Sequence, residues 1–216
     1  MSDRRTVILE AEATVIARCG VRGLRVEELA AEASVSKALA YYHFEDRTGL
    51  LRRTLAFVSN RAERYTTERH TTGQSAADAT ADPLRRLEQA LLLELQDLPH
   101  VRENSTAWGE LRASAVFDPE LRGELVLASA IRIREVADQL GEVRPTAPES
   151  APTAGAERLT APLEGLSARR LGGILPLADA RARMREAIGV EVARLARSTA
   201  PSTHDLRQAD EPDQLD

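Results

Sequence analysis

Cysteine is nearly absent from these 216 residues. Cys19 stands alone, which excludes an internal disulfide framework and a multi-cysteine zinc site. The four histidines, His43, His70, His100 and His204, show no HxxxH or HxH spacing, so the sequence spells no metal site. No apolar run approaches the ~20 residues of a membrane span; the longest, such as 90–93, are of helix-core length. The first five residues lack the apolar stretch of a signal peptide, so a cytoplasmic location and no membrane association are expected. Aromatic residues make up only 3% while alanine and leucine abound, which favours helices over strands. Nothing resembles a nucleophile–base pair, a phosphate loop or a paired-carboxylate site, so neither an enzymatic activity nor a cofactor is expected.

Apolar residues amount to 43%, enough for a sizeable core, and the length allows one large domain or two small ones. The net charge of −5 is unevenly spread. Residues 1–70 carry twelve basic and ten acidic side chains, while the remainder carries seventeen and twenty-four. A polyanion responds to the local field rather than the global sum, so the N-terminal third is the part suited to nucleic acid. Of the 29 Lys and Arg residues only Lys37 is lysine.

Helical periodicity runs through most of the chain. Val7, Ile8, Ala11, Val15 and Ile16 mark a helix over 4–19 that Gly20 should stop. A short helix over 26–33 has acidic residues in its first turn. After a break at Ser34-Val35, Ser36 should cap a third helix to about Tyr42. Asp46 should cap a fourth, reaching about Arg69, with Leu50, Leu51, Leu55 and Val58 on one side. Residues 71–81 read as a loop. Asp82-Pro83 and Asp118-Pro119 each pair a cap with a proline at the first helical position. The helix after Asp82 should run until Pro99, another should cover 100–116, and the one after Asp118 should reach Leu140. Residues 142–154 hold three prolines and read as a mobile linker. Two helices should follow, over 155–170 and 178–197, the first kinked or restricted by Pro162. The polar, acidic stretch 199–216 reads as a disordered tail.

The informative stretch is 20–44. Two short helices joined by a tight turn, with Leu29, Ala33, Val35 and Ala40 apolar, have the sequence shape of a helix-turn-helix. Small Ala30 and Ala33 let the second helix cross closely. That helix then presents Lys37, Ala38 and Leu39 from its first turn and Tyr41, Tyr42 and His43 from its last. A lysine near a helix start can donate to guanine O6/N7 or to phosphate, and tyrosine hydroxyls can donate to phosphates.

The run from Ala33 to Phe44 (ASVSKALAYYHF) resembles the recognition-helix signature of TetR-family transcriptional regulators, and Gly20 and Leu50-Leu51 stand at the family's spacing. The likeness in motif covers about fifty residues; beyond it the chain is similar only in plan. The resemblance implies an all-α fold of about nine helices: a three-helix DNA-binding domain over 1–46, then a helical ligand-binding and dimerisation domain over 47–198. It implies base contacts from Lys37, Ala38 and Leu39 and phosphate contacts from Tyr41, Tyr42, His43, Arg25 and Arg47, with Ser36 on the same face. It further implies a homodimeric repressor on a near-palindromic stretch of double-stranded DNA, released by an as yet unidentified small-molecule effector. The alternative is a DNA-binding regulator that answers to a protein partner or to no ligand.

In the second domain, Phe57, Leu91, Leu95, Trp108, Leu111 and Phe117 are candidate pocket walls, and His100, Asn104 and Arg112 candidate ligand-orienting groups. Leu159, Leu163 and Leu166 with Met184, Ile188, Val192 and Leu195 are the candidate dimer interface. Two departures from the family pattern stand out. Leu24-Arg25 replaces the usual Ser or Thr cap of the second helix, and Ser34 occupies the turn position where the family usually has Gly. If Ser34 needs φ > 0, it carries a penalty that glycine would not.

Overall fold

A computed structural model describes residues 4–44, 46–71 and 82–198. Among them are nine helices and no strand: α1 (Arg4–Gly23), α2 (Val26–Glu32), α3 (Lys37–Phe44), α4 (Arg47–Thr71), α5 (Pro83–Leu92), α6 (Pro99–Ser114), α7 (Pro119–Val143), α8 (Ala151–Leu171) and α9 (Leu177–Ser198). No helix among the described residues is long and apolar enough to cross a membrane. The expected loop after Thr71 and the expected tail after Ser198 lie outside the described residues.

The helix starts follow the chemistry of their caps. Ser36 Oγ accepts the Leu39 N–H at 3.2 Å, and Asp46 Oδ1 accepts the Gly49 N–H at 2.7 Å. Asp118 Oδ1 accepts from both Glu120 and Leu121. Each bond satisfies a backbone donor that the helix itself cannot. Asp82 stands at the N-cap of α5 but makes no such bond there. Arg25 occupies the N-cap of α2 with extended backbone and no side-chain cap, in line with the missing Ser or Thr.

The first run of helix ends at Gly20 as expected, with φ 73° and ψ 167°, and a separate turn follows it to Gly23. Several other boundaries differ from expectation. The expected helix to Pro99 ends at Leu92; Leu93 and Leu95 continue its apolar pattern in a turn and are buried all the same. The expected linker shrinks to 144–150, because α7 persists to Val143 and α8 begins at Ala151. Pro152 sits in the first turn of α8, where its missing N–H costs nothing. Pro162 lies inside α8, which continues past it for two further turns.

Three apolar clusters hold these helices. Ile8, Ala11, Leu29, Ala33 and Leu50 bind α2 against α1 and the start of α4. Ala13, Ile16 and Val21 of α1 meet Leu51, Leu55 and Val58 of α4, Leu111 of α6 and Leu121 of α7 in the second. Helix α4 therefore enters both clusters, and α1 is packed firmly on α6. The third and largest cluster joins α5, α7, α8 and α9. All seven residues expected at the dimer interface fall in it, none more than 9% exposed. Their helical stripe marks a buried face, and the face is buried within one chain. The exposed residues of α8 and α9 include small ones, Ala161, Gly165, Ala168, Gly189 and Ala193 beside Val190, among charged ones such as Glu157, Arg169, Arg185 and Glu186.

Candidate DNA-reading face and ligand cavity

The turn between α2 and α3 is a Schellman motif. Val35 N–H reaches the Ala30 carbonyl at 2.9 Å and Ser34 N–H reaches Ala31 at 3.2 Å. The motif requires a left-handed residue, and Ser34 is that residue, at φ 52°. Val35 then packs onto the first cluster, fixing how α3 leaves the turn. The result is a short helix whose first turn faces out. Ser36, Lys37 and Ala38 are exposed, Leu39 is half-buried and Tyr42 is 82% exposed. The side chains of Tyr41 and His43 lie outside the described residues.

Lys37 does not stand alone. Its Nζ donates to Glu27 Oε1 at 2.7 Å, linking α3 to the first turn of α2. The hydrogen bond and charge of Lys37 hold the Glu27 carboxyl below its ordinary range. Arg25 is exposed beside this pair. Arg47 is engaged inward: its Nη2 donates to the Val21 carbonyl at 2.5 Å, tying the first residue of α4 to the last turn of α1.

A buried carboxyl lies close by. Glu12 of α1 is fully buried and accepts a short hydrogen bond from Thr54 Oγ1 of α4, while its Oε1 has no partner. Burial pushes its pKa up to about 8, against the opposing pull of the Thr54 bond and the Arg47 charge. Glu12 is thus predominantly neutral at pH 7. It follows Ile8 by four residues and precedes Ile16 by four, so its place in the apolar stripe was a readable signal.

The second region is a cavity of about 220 Å³ between α4, α6, α7 and α8. Of the nine residues proposed to line a pocket, Asn104, Trp108 and Arg112 do so. The others do not. Phe57 and Leu111 are in the α1–α4–α6 cluster, and Leu91 and Leu95 are in the C-terminal cluster. His100 is exposed near the start of α6, and Phe117 is 81% exposed in the turn after it. Helical period shows which residues are apolar-faced; it does not separate a wall from a core.

The polar lining is mostly residues the sequence did not point to. Glu94 pairs with Arg132. Arg112 pairs with Glu164 at 3.4 Å. Burial raises the Glu164 pKa, the Arg112 charge opposes this and Glu94 adds to it. Asn104 is buried, and its Nδ2 donates to the Val58 carbonyl at 3.1 Å. That bond fixes the amide orientation and leaves Oδ1 without a partner. Glu110, exposed where α6 passes the end of α1, also borders the cavity, and its Oε2 accepts the Val21 N–H at 3.2 Å.

Comparison with known proteins is consistent in kind. The profile of "Bacterial regulatory proteins, tetR family" matches residues 8–54. A TetR-family transcriptional regulator from Rhodococcus sp. is 42% identical, with TM-score 0.78 over 89% of this chain and all of that one. A transcriptional regulator from Saccharomonospora viridis, solved in complex with choline, is 22% identical, with TM-score 0.71 over 86% of this chain and 95% of its own. A regulator from Rhodococcus sp. Rha1 is 16% identical, with TM-score 0.70 over 91% and 98% of the two chains. Among curated proteins none matches.

Proposed function

We propose that this chain, which belongs to the TetR family of transcriptional regulators, is a homodimeric repressor that leaves its operator when a small molecule fills the α4–α8 cavity. As a member of that family it is a DNA-binding transcription factor and not an enzyme. The observation that carries the reading is α3. Its first turn is exposed, capped by Ser36, positioned by the Schellman turn and provided with Lys37. A helix so placed enters a major groove with its N-terminal residues against base edges. Lys37, Ala38 and Leu39 read bases; Tyr41, Tyr42, His43 and Arg25 hold phosphates. Arg47 acts from behind, setting α4 against α1, and can release Val21 for phosphate only by giving up that bond.

One helix of eight residues touches few base pairs. Two, held about 34–36 Å apart, read successive grooves on one face of the duplex. The dimer forms through the exposed faces of α8 and α9, whose small residues let two helix pairs approach closely. A ligand releases DNA to the extent that it binds the non-reading spacing better than the reading one. The choline bound by the Saccharomonospora viridis protein supports a small-molecule effector for this architecture. The reading places the protein in the cytoplasm, with the DNA it controls.

Genomic-fragment capture with the purified protein at near-physiological salt tests the reading. A short inverted repeat should be enriched, with affinity falling steeply as salt rises. Recovery of no common sequence by folded protein, or a flat salt response, contradicts it.

A further inference from the structure

We propose that the cavity takes a small cationic amine, and that Glu110 is the residue through which its arrival reaches the DNA-reading helices; this rests on the ligand-released repressor reading above. The charge of the lining points to a cation. Both arginines are committed, Arg112 to Glu164 and Arg132 to Glu94. Glu110 is the third carboxylate, so the lining carries one negative charge in excess. The polar atom left unsatisfied in the wall, Asn104 Oδ1, is an acceptor as well. An anion entering here would meet an uncompensated carboxylate and no uncommitted arginine. An ammonium would meet complementary charge, with the aromatic ring of Trp108 in the same wall.

Glu110 also touches the other domain. Its Oε2 accepts the Val21 N–H at 3.2 Å, just past the break in α1. The break is built for this approach: a Cβ on Gly20 would lie 2.8 Å from that same oxygen, and φ there is 73°. The Val21 carbonyl in turn receives Arg47, the first residue of α4, close behind α3. One peptide unit is therefore clamped from both sides, by the cavity's carboxylate and by the base of the reading head. An open crevice of about 350 Å³ bordered by Val21, Arg47 and Leu51 gives the clamped turn room to shift. An ammonium group on Glu110 competes with the Val21 N–H for the carboxylate. When it wins, the last turn of α1 loses its tie to α6, and Arg47 loses its fixed acceptor.

The test is hydrogen exchange of the full chain, read by mass spectrometry, beside operator binding. The probes are a series of short primary alkyl- and arylalkylamines and the carboxylates of matching length. The amines should speed exchange over residues 20–24 and 37–50 and weaken operator binding at least about five-fold, the lower end of ordinary coupling; the carboxylates should do neither. Glu110→Ala should show the faster exchange without any probe and bind its operator at least about five-fold more weakly. Glu110→Gln keeps an acceptor for Val21 but loses the charge, so, measured against its own exchange and DNA affinity without probe, it should respond at least about five-fold less to amines. Carboxylates acting as well as amines, or no amine in the series acting, overturns the ligand assignment. Glu110→Ala with unchanged exchange at 20–24 overturns the coupling. Exchange is read without DNA, so absence of any operator would count against the repressor reading and leave this test standing.

Discussion

Replacing Glu12 with glutamine should flatten the pH dependence of stability between pH 5 and 8. The side chain is fully buried between α1 and α4, with a folded pKa of about 8 against an ordinary 4.5. Between those two values the folded chain holds a proton that the unfolded chain has lost. Stability therefore falls as pH rises through this window, at up to about 1.4 kcal/mol per pH unit from this one group. Above pH 8 the folded state ionises too and the slope flattens. From pH 5 to pH 7 the loss is about 2–3 kcal/mol, a large part of a typical domain's stability. Carboxylates held low, such as Glu27 and Glu191, have the opposite sign and act below pH 4.5, outside the window; Glu164, raised by burial, has the same sign as Glu12 but is present in both proteins, so the difference between the two profiles isolates Glu12. The Glu12→Gln variant keeps an acceptor for Thr54 and puts an amide N–H₂ where the neutral acid already holds one unpartnered proton, so its own stability is offset by an amount that does not vary with pH. The slope is therefore the informative quantity, and the offset is not. Urea denaturation of both proteins at pH 5, 6, 7 and 8, at one fixed chain concentration, measures it. Parallel pH profiles for wild type and variant would refute the reasoning.

Other changes test other parts of the structure. Ser34→Gly relieves a non-glycine residue at φ 52° and should raise stability by about 0.5–1 kcal/mol, visible as a higher melting temperature. Glu27→Ala frees Lys37 from its partner and should tighten DNA binding without altering the helical circular-dichroism spectrum; fluorescence anisotropy on a captured operator decides, and unchanged or weaker binding would count against Lys37 as a DNA contact. Arg158→Ala strands Glu191, which is almost wholly buried and receives two bonds from Arg158 at 2.6 and 2.9 Å. Because Arg158 itself is partly exposed, the expected loss is about 2 kcal/mol rather than that of a fully buried pair, measured by denaturant titration.

What the sequence made legible follows from the range of the interaction involved. Caps are local, and Ser36, Asp46 and Asp118 were readable because the bond spans two or three residues. The place of Ser34 in the motif points to φ > 0, and the Schellman bonds give the reason. Apolar period was equally readable but ambiguous about its partner: Leu163 marks a buried face, and within the chain that face lines the cavity and the largest core cluster. The polar half of the site was hidden because its bonds are long-range. Glu110 meets Val21 across 89 positions, and Glu94 meets Arg132 across 38. No local pattern announces such pairs.

The claim on which the rest depends is that α3 reads DNA as one of two symmetric copies. Footprint titration on a captured site, with wild type and Lys37→Ala side by side, tests it most directly. Two protected half-sites one helical turn apart are expected, filled together by two chains. Lys37→Ala should lose about 1–3 kcal/mol on that site and little on unrelated DNA if the lysine reads a base. A single protected half-site, or a variant that binds the site as tightly as wild type, would contradict the account.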